Sequence, residues 1–277
     1  MNSKAMSLKG RIKNYAKQNN IAAQVVMQNF MFERFLARLS ASPYREKFII
    51  KGGMLVAAIV GLDTRSTMDL DATLRNLPLT EGQIRRALED ICAIPMRDEI
   101  TFQLLSIDPI RKDDPYGGFC ARLDAAYETI ITPLSIDLST GDAITPQAVL
   151  YEFCSIFDDD LRIEVWGYNI ETVLAEKVET ILRRGRFNTR PRDYYDTFIL
   201  ATTQPFDGDT FCAAIRATAE YRGSMTALEN AANVLQAISQ SKDLQNQWHK
   251  YQRDFSYAQG IRYEDIMAVL NELIQRL

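Results

Sequence analysis

Asp69-Leu70-Asp71 sets two carboxylates two residues apart in the alternating run Met68 to Leu74. Side chains repeat every two residues along a strand, so Met68, Leu70 and Ala72 share one face while Asp69, Asp71 and Thr73 share the other. Two acids that leave one strand face roughly 6.5–7 Å apart can converge on a divalent cation. Alone, an Asp-x-Asp pair is more often a solvated strand face. Asp137, in Leu134-Ser135-Ile136-Asp137-Leu138, adds a third acid on an otherwise apolar strand. A lone carboxylate there is costly unless it meets a cleft, a cation or solvent, so Asp69, Asp71 and Asp137 are the candidate metal ligands. Upstream, Lys51-Gly52-Gly53 closes the apolar run Phe48-Ile49-Ile50. Glycines at that place either bring backbone N–H groups against a phosphate at a helix start or simply form a turn.

Further along, Lys177 sits in the apolar helical run Val173, Leu174, Val178, Ile181, Leu182, next to Glu176. By position alone it reads as a lysine reaching out to solvent. Asp193 and Asp196 stand three residues apart on a helix opened by Pro191, on one face near its positive end. Arg183, Arg184, Arg186, Arg190 and Arg192 put five guanidiniums into ten residues, with Phe187 among them. Arginine forks suit phosphates and an aromatic ring suits a base, so this is either an RNA or triphosphate patch or a solvated loop. Asp158-Asp159-Asp160 reads as a turn between strands. Of Tyr194 and Tyr195, one is expected to pack and the other to be exposed.

These residues must be held by an α+β arrangement. Residues 7–19 and 23–40 have helical spacing, the second through Val26, Phe30, Phe35 and Leu39. Met54 to Val60 read as a buried helix, and Thr80 with Gln83 caps another that runs to Cys92. Runs at about 99–107, 118–128, 132–138, 151–156 and 161–165 are β-like, divided by Asp-Pro, Tyr-Gly-Gly, Thr-Pro and Thr-Gly-Asp. From Asn169 the pattern is helical: 170–184, 192–202, 208–221, 225–240, 243–255 and 263–277. The expected division is residues 1–168, with N-terminal helices and a mixed sheet flanked by helices, and a helical domain at 169–277.

Composition narrows the chemistry. The 277 residues carry 32 Lys plus Arg against 36 Asp plus Glu, net −4, so any polyanion site is a local patch and not a global field. One histidine, His249, removes multi-histidine metal sites and leaves carboxylates, lysine and arginine to carry a charged centre. It stands beside Trp248 on an amphipathic helix and reads as a packing or surface residue. The four cysteines form no C-x-x-C pair and fit reduced thiols. The longest apolar run, Met54 to Leu62, is too short to cross a bilayer, and the N-terminal segment, with basic residues but no apolar stretch, is not expected to act as a secretory signal. The cytoplasm is the expected compartment.

Taken together, Phe48-Ile49-Ile50-Lys51-Gly52-Gly53, Arg65-Ser66-Thr67-Met68-Asp69-Leu70-Asp71, Ala175-Glu176-Lys177 and Arg192-Asp193-Tyr194-Tyr195-Asp196 resemble the AbiEii/MenT nucleotidyltransferase toxins, within the DNA polymerase beta-like superfamily. The resemblance runs from about residue 20 to 200. It implies a minimal nucleotidyltransferase core, Mg2+ or Mn2+ on Asp69, Asp71 and Asp137, and a nucleoside triphosphate at Lys51, Gly52, Gly53, Arg65, Ser66 and Thr67. It further implies that Lys177 contacts the phosphates and that Asp193 and Asp196 complete the cleft. The implied role is the toxin of a toxin–antitoxin or phage-defence pair with a cognate antitoxin, and in relatives the acceptor can be the tRNA 3′ end. One departure stands out: the family's Lys-Gly-Gly is commonly followed by Thr or Ser, and here by Met54, leaving Ser66 or Thr67 to supply a hydroxyl. That departure supports a second reading, a catalytically weak nucleotide- or RNA-binding module that engages an antitoxin. A metal-dependent nuclease using the same acids is a third.

Overall fold

The computed structural model describes residues 3–65, 67–110, 117–158 and 160–277. Ser66 and Asp159 therefore lie outside the described residues. Two compact units emerge: Met1–Gly141 with Val149–Gly167, and Asp142–Ala148 with Tyr168–Leu277. Residues 142–148 group with the second unit through its own polar contacts. Asn169 donates to the Thr145 carbonyl at 2.7 Å, the Thr145 amide donates to Thr172 Oγ1 at 3.0 Å, and Tyr168 donates to Asp142 at 2.9 Å.

The first unit begins with helices α1 (Ser3–Gln18) and α2 (Ala23–Ser40). Strand β1 (Phe48–Lys51) turns directly into α3 (Gly52–Val60), two residues ahead of the expected start. Strand β2 is Leu70–Leu74, and α4 (Glu81–Cys92) starts on Thr80, whose side chain accepts from the Gln83 amide. Strands β3 (Ile100–Ile110), β4 (Gly118–Tyr127), β5 (Ile130–Thr140), β6 (Val149–Cys154) and β7 (Arg162–Gly167) complete a mixed α+β unit. Among the described residues the sheet has seven strands in the order β3-β4-β5-β2-β1-β7-β6. β2–β5 and β1–β7 are parallel pairs and the others antiparallel.

The two sheet faces differ as period-two alternation requires. Leu70, Ala72, Ile136, Leu138, Ala121 and Leu123 are each no more than 1% exposed. Helices α2 and α4 cover that side, with Phe35 of α2 edge-on to Phe102 of β3. The opposite face carries the polar residues of interest.

The second unit is helical: α5 (Ile170–Arg184), α6 (Pro191–Thr203), α7 (Gly208–Tyr221), α8 (Met225–Glu229), α9 (Ala231–Ser239), α10 (Lys242–Asp254) and α11 (Tyr263–Ile274). α5 packs against α6, α7, α8 and α9. It ends at Gly185, whose φ of +51° is easy only for a residue without Cβ. The single helix expected over 225–240 is two, because Asn230 leaves helical geometry at φ −98°, ψ 17° and its side-chain amide donates back to the Thr226 carbonyl. Tyr194 and Tyr195 are both buried, at 3% and 1% exposure, correcting the expectation of one exposed ring. Tyr195 lies among Tyr251 and Tyr257, and Tyr194 lies against Tyr263.

Candidate functional site

In the first unit the sheet register does the positioning. Asp71 is the Cα partner of Asp137 on the parallel neighbour β5 and of Lys51 on the antiparallel neighbour β1. Asp137 is in turn the partner of Cys120, and Cys120 of Asp108. Directly opposed residues project on the same face, so Lys51, Asp71, Asp137, Cys120 and Asp108 form one row across five strands. Lys51 Nζ donates to Ser139 Oγ at 2.7 Å, and Ser139 lies 3.3 Å from Thr73 Oγ1, which places hydroxyls beside the acids. The Cys120 thiol is raised above its ordinary pKa by burial and by Asp137 beside it, against an opposing hydrogen bond with Ser135 at 3.1 Å. It is a protonated bystander to the carboxylates.

Asp69 is not on that ladder. The expected strand from Met68 begins at Leu70, since β1 leaves the sheet at Gly52 and residues 67–69 pair with no strand. The Thr67 carbonyl is bound instead by the Asn29 side chain of α2 at 2.8 Å. Asp69 is exposed one residue before β2 and Asp71 is half-buried within it, so the two are not equivalent ligands. Among the described residues no three His, Cys, Asp or Glu side chains stand close enough to hold a metal ion. The donors are nonetheless hard carboxylate oxygens, the chemistry that suits Mg2+ or Mn2+.

The glycine turn is packed from outside. Gly52, at φ +67°, has the Asp71 carboxylate where a Cβ would stand, and a Cβ on Gly53 would meet Thr67 Oγ1 at 2.8 Å and an Arg65 nitrogen at 3.0 Å. Arg65 and Thr67 are buried, at 3% and 9% exposure. Met54 is buried at 7%.

In the second unit, Lys177 Nζ lies 2.8 Å from Asp193 Oδ1 and 2.9 Å from Asp196 Oδ2, with side chains 15%, 6% and 0% exposed. Lys177 is thus an enclosed partner of two acids and not a surface lysine. The start of α6, where both acids stand, adds the positive end of a helix to the Lys177 ammonium. The other oxygen of Asp193, Oδ2, is buried with no hydrogen-bond partner among the described residues. Arg222, which sequence reasoning missed, bonds Glu176 within 2.5 Å and Glu179 at 2.7 Å, and Ser224 adds a bond to Glu179 at 2.7 Å. Burial pulls the Arg222 guanidinium down, but Glu176 and Glu179 outweigh it and hold it above its ordinary value. The network fixes α5 on both sides of Lys177. No linear signal marks it, because Arg222 lies 46 residues beyond Glu176.

The arginine run splits. Arg183 is ion-paired with Glu179 and Arg184 is half-buried, whereas Arg186, Arg190 and Arg192 are exposed. Phe187 is 82% exposed with the Arg186 guanidinium 5.9 Å from its ring centre. His249 is exposed on α10.

Residues 34–271 match the profile of a family described as nucleotidyl transferase AbiEii toxin, type IV TA system. Among solved structures, a Helicobacter pylori chain assigned as a nucleotidyltransferase is similar at 18% identity and TM-score 0.52, over 92% of this chain and 95% of its own. JHP933 from Helicobacter pylori is similar at 17% identity and TM-score 0.52, over 92% of this chain and 91% of its own. At those identities the structures speak for the fold. No curated protein matches the chain.

Proposed function

The chain belongs to the AbiEii family of nucleotidyltransferase toxins of type IV toxin–antitoxin systems, and we propose that it moves a nucleoside monophosphate from a nucleoside triphosphate to a hydroxyl of an RNA acceptor, the tRNA 3′ end being the expected one. The observation that carries the reading is the register of Asp71 with Asp137, flanked by Lys51 at the Gly52 turn. Within it, we assign the nucleotidyltransferase core with its N-terminal helices to residues 1–168 apart from 142–148 and Tyr168, which group with the helical domain at 169–277.

Asp71 and Asp137, with Asp69 at the mouth of β2, would hold Mg2+ or Mn2+. When bound, such an ion lends positive charge to the triphosphate and acidifies the acceptor hydroxyl. Lys51, the Gly53 amide, Arg65 and the Thr67 hydroxyl bind the phosphates, with Thr67 standing where Met54 offers no hydroxyl. A new bond forms from the acceptor oxygen to the α-phosphorus as the hydroxyl proton passes to solvent, the α–β bridging bond breaks, and pyrophosphate leaves. In the second unit, Lys177, held between Asp193 and Asp196, is a further cation for phosphate, and Arg186, Arg190 and Arg192 with Phe187 offer an RNA its phosphate contacts and a ring to stack on. Little protein acid–base chemistry is needed, in keeping with the single histidine. The family implies a cognate antitoxin, and among the described residues no helix is long and apolar enough to cross a membrane.

The test is incubation with Mg2+, total tRNA and each α-labelled nucleoside triphosphate, with Asp69→Ala as control. Label on RNA that vanishes in D69A supports the transfer, and wild-type activity in D69A overturns the site. A second reading, a weakly catalytic nucleotide-binding module, draws on the engagement of Lys177 by two acids. Nucleoside triphosphate binding that ignores Mg2+ would favour it.

A further inference from the structure

The first acid in the chain is Glu33, yet α1 carries Lys4, Lys9, Arg11, Lys13 and Lys17 in a protein of net charge −4. The helix divides these cations by face. Ala5, Leu8, Ile12 and Ala16 are buried, and α1 packs against α2. At the edges, Lys4 bonds Glu99 at 2.7 Å, while Arg11 donates to the Phe157 carbonyl at 2.6 Å and lies over its ring. Lys9, Lys13 and Lys17 are exposed and have no hydrogen bond or ion pair among the described residues. Their four-residue spacing sets a cation every roughly 6 Å along the axis on one side of the helix. Gly10 adjoins this row in mid-helix, with nothing within 4 Å of where a Cβ would stand. Nothing in the fold requires glycine there, although in a helix it costs about 1 kcal/mol against alanine.

Beside the lysines, α1, the start of α2 and the β4–β5 hairpin enclose a groove of about 340 Å³. Lys9 and Lys13 stand on it, its apolar lining includes Ile12, Met27 and Ile130, and Ile131 is 67% exposed beside them. No acid lines it. A ligand that fits this surface carries regularly spaced anions and an apolar planar group within reach of them, which is the chemistry of a single-stranded nucleic acid. A bilayer would meet the lysines but not a recessed groove, and an acidic peptide lacks the regular phosphate repeat.

We propose that this face of α1 and its groove bind single-stranded RNA, with phosphates on Lys9, Lys13 and Lys17 and a base in the groove, as a docking surface for the acceptor. The proposal rests on the transferase reading for its choice of RNA. It is tested on the full chain by fluorescence anisotropy with a labelled single-stranded RNA in EDTA across a salt series. K9E/K13E/K17E is compared with K242E/K250E/R253E, which changes net charge equally at exposed sites on α10. Since log K falls by about 0.7 per phosphate contact per decade of salt, the α1 variant is expected to lose about two units of slope. An abasic strand of equal charge is expected to bind about tenfold more weakly, as loss of one base contact implies. Circular dichroism confirms that each variant is folded. An unchanged slope, an equal loss in the α10 variant, equal binding of the abasic strand, or tighter binding to phosphatidylserine vesicles than to RNA overturns the proposal. Wild-type binding of nucleoside triphosphate with Mg2+ is measured in parallel. Triphosphate binding without RNA binding sinks the α1 surface alone, and no triphosphate binding sinks the transferase reading itself.

Discussion

Asp71 occupies the space in which a side chain on Gly52 would stand, so the glycine is needed less for its own turn than for the carboxylate opposite it. The φ of +67° at Gly52 and the closeness of Asp71 act together. Gly52→Ala is expected to cost about 1–2 kcal/mol from backbone strain alone, and to push Asp71 out of line with Asp137. Thermal unfolding and label transfer should both fall. Gly10→Ala, where a Cβ meets nothing, is the matched control and should stabilise by about 1 kcal/mol.

Asp69 and Asp71 should separate by their stability cost. Asp69 is exposed and off the ladder, so Asp69→Ala should leave stability within about 0.5 kcal/mol while removing transfer. Asp71→Asn should lower transfer by at least about a hundredfold, as loss of a group that serves the developing charge does. Single-turnover assays beside denaturant melts check both, and an active D71N would overturn its assignment.

Thr67 and Met54 make a reciprocal pair for testing where the phosphate hydroxyl sits. Thr67→Val is expected to raise KM for the nucleoside triphosphate about tenfold, since a hydrogen bond to a charged group is worth about 1.5–3 kcal/mol, with a smaller change in kcat. Thr67→Ser should keep the wild-type KM. Met54→Thr in the T67V background should recover part of the loss. An unchanged KM in T67V would place the hydroxyl elsewhere.

Lys177→Met leaves Asp193 and Asp196 buried without their cation. Breaking a buried pair from one side costs about 3–5 kcal/mol, and the urea midpoint should fall accordingly. Adding Asp196→Asn should recover part of that, because one fewer anion is then stranded.

Glu33, on α2, gives a pH dependence of stability. Burial pushes its carboxyl up from 4.5 to about 7, against the opposing bonds from Ser155 Oγ and the Ile156 amide. The folded state therefore holds a proton that the unfolded chain releases. Its stabilising effect is complete below about pH 4.5 and is lost as pH rises through about 7. At pH 8 the cost is on the order of 3 kcal/mol relative to acid conditions. Glu33→Gln should flatten the fall in melting temperature between pH 5 and 8, and an unaltered profile would remove Glu33 as its source.

Much of this molecule is legible in order along the chain. Alternation in 68–74 and 132–138, the cap at Thr80, the helix start at Pro191, and the helical spacing from Asn169 depend on neighbours within a few residues, so they mark the elements and the acids on them. The Lys-Gly-Gly turn, Asp69, Asp71 and Asp137 stand out as candidates for the same reason. Strand pairing is different. That Asp71 faces Asp137 and Lys51 depends on the register of three strands and on β1 ending at Lys51, a choice made by long-range packing. Asp69 falls outside the ladder because Asn29, forty residues upstream, takes the Thr67 carbonyl. Lys177 reads as a surface lysine until α6 brings Asp193 and Asp196 against it, and Arg222 is unremarkable until α7 packs on α5. Local order is enough to say which side chains have the chemistry and, for Asp71 and Asp137, that each lies on the polar face of its strand. Which of them meet is settled on folding, because burial and pairing are properties of surfaces that distant segments form together.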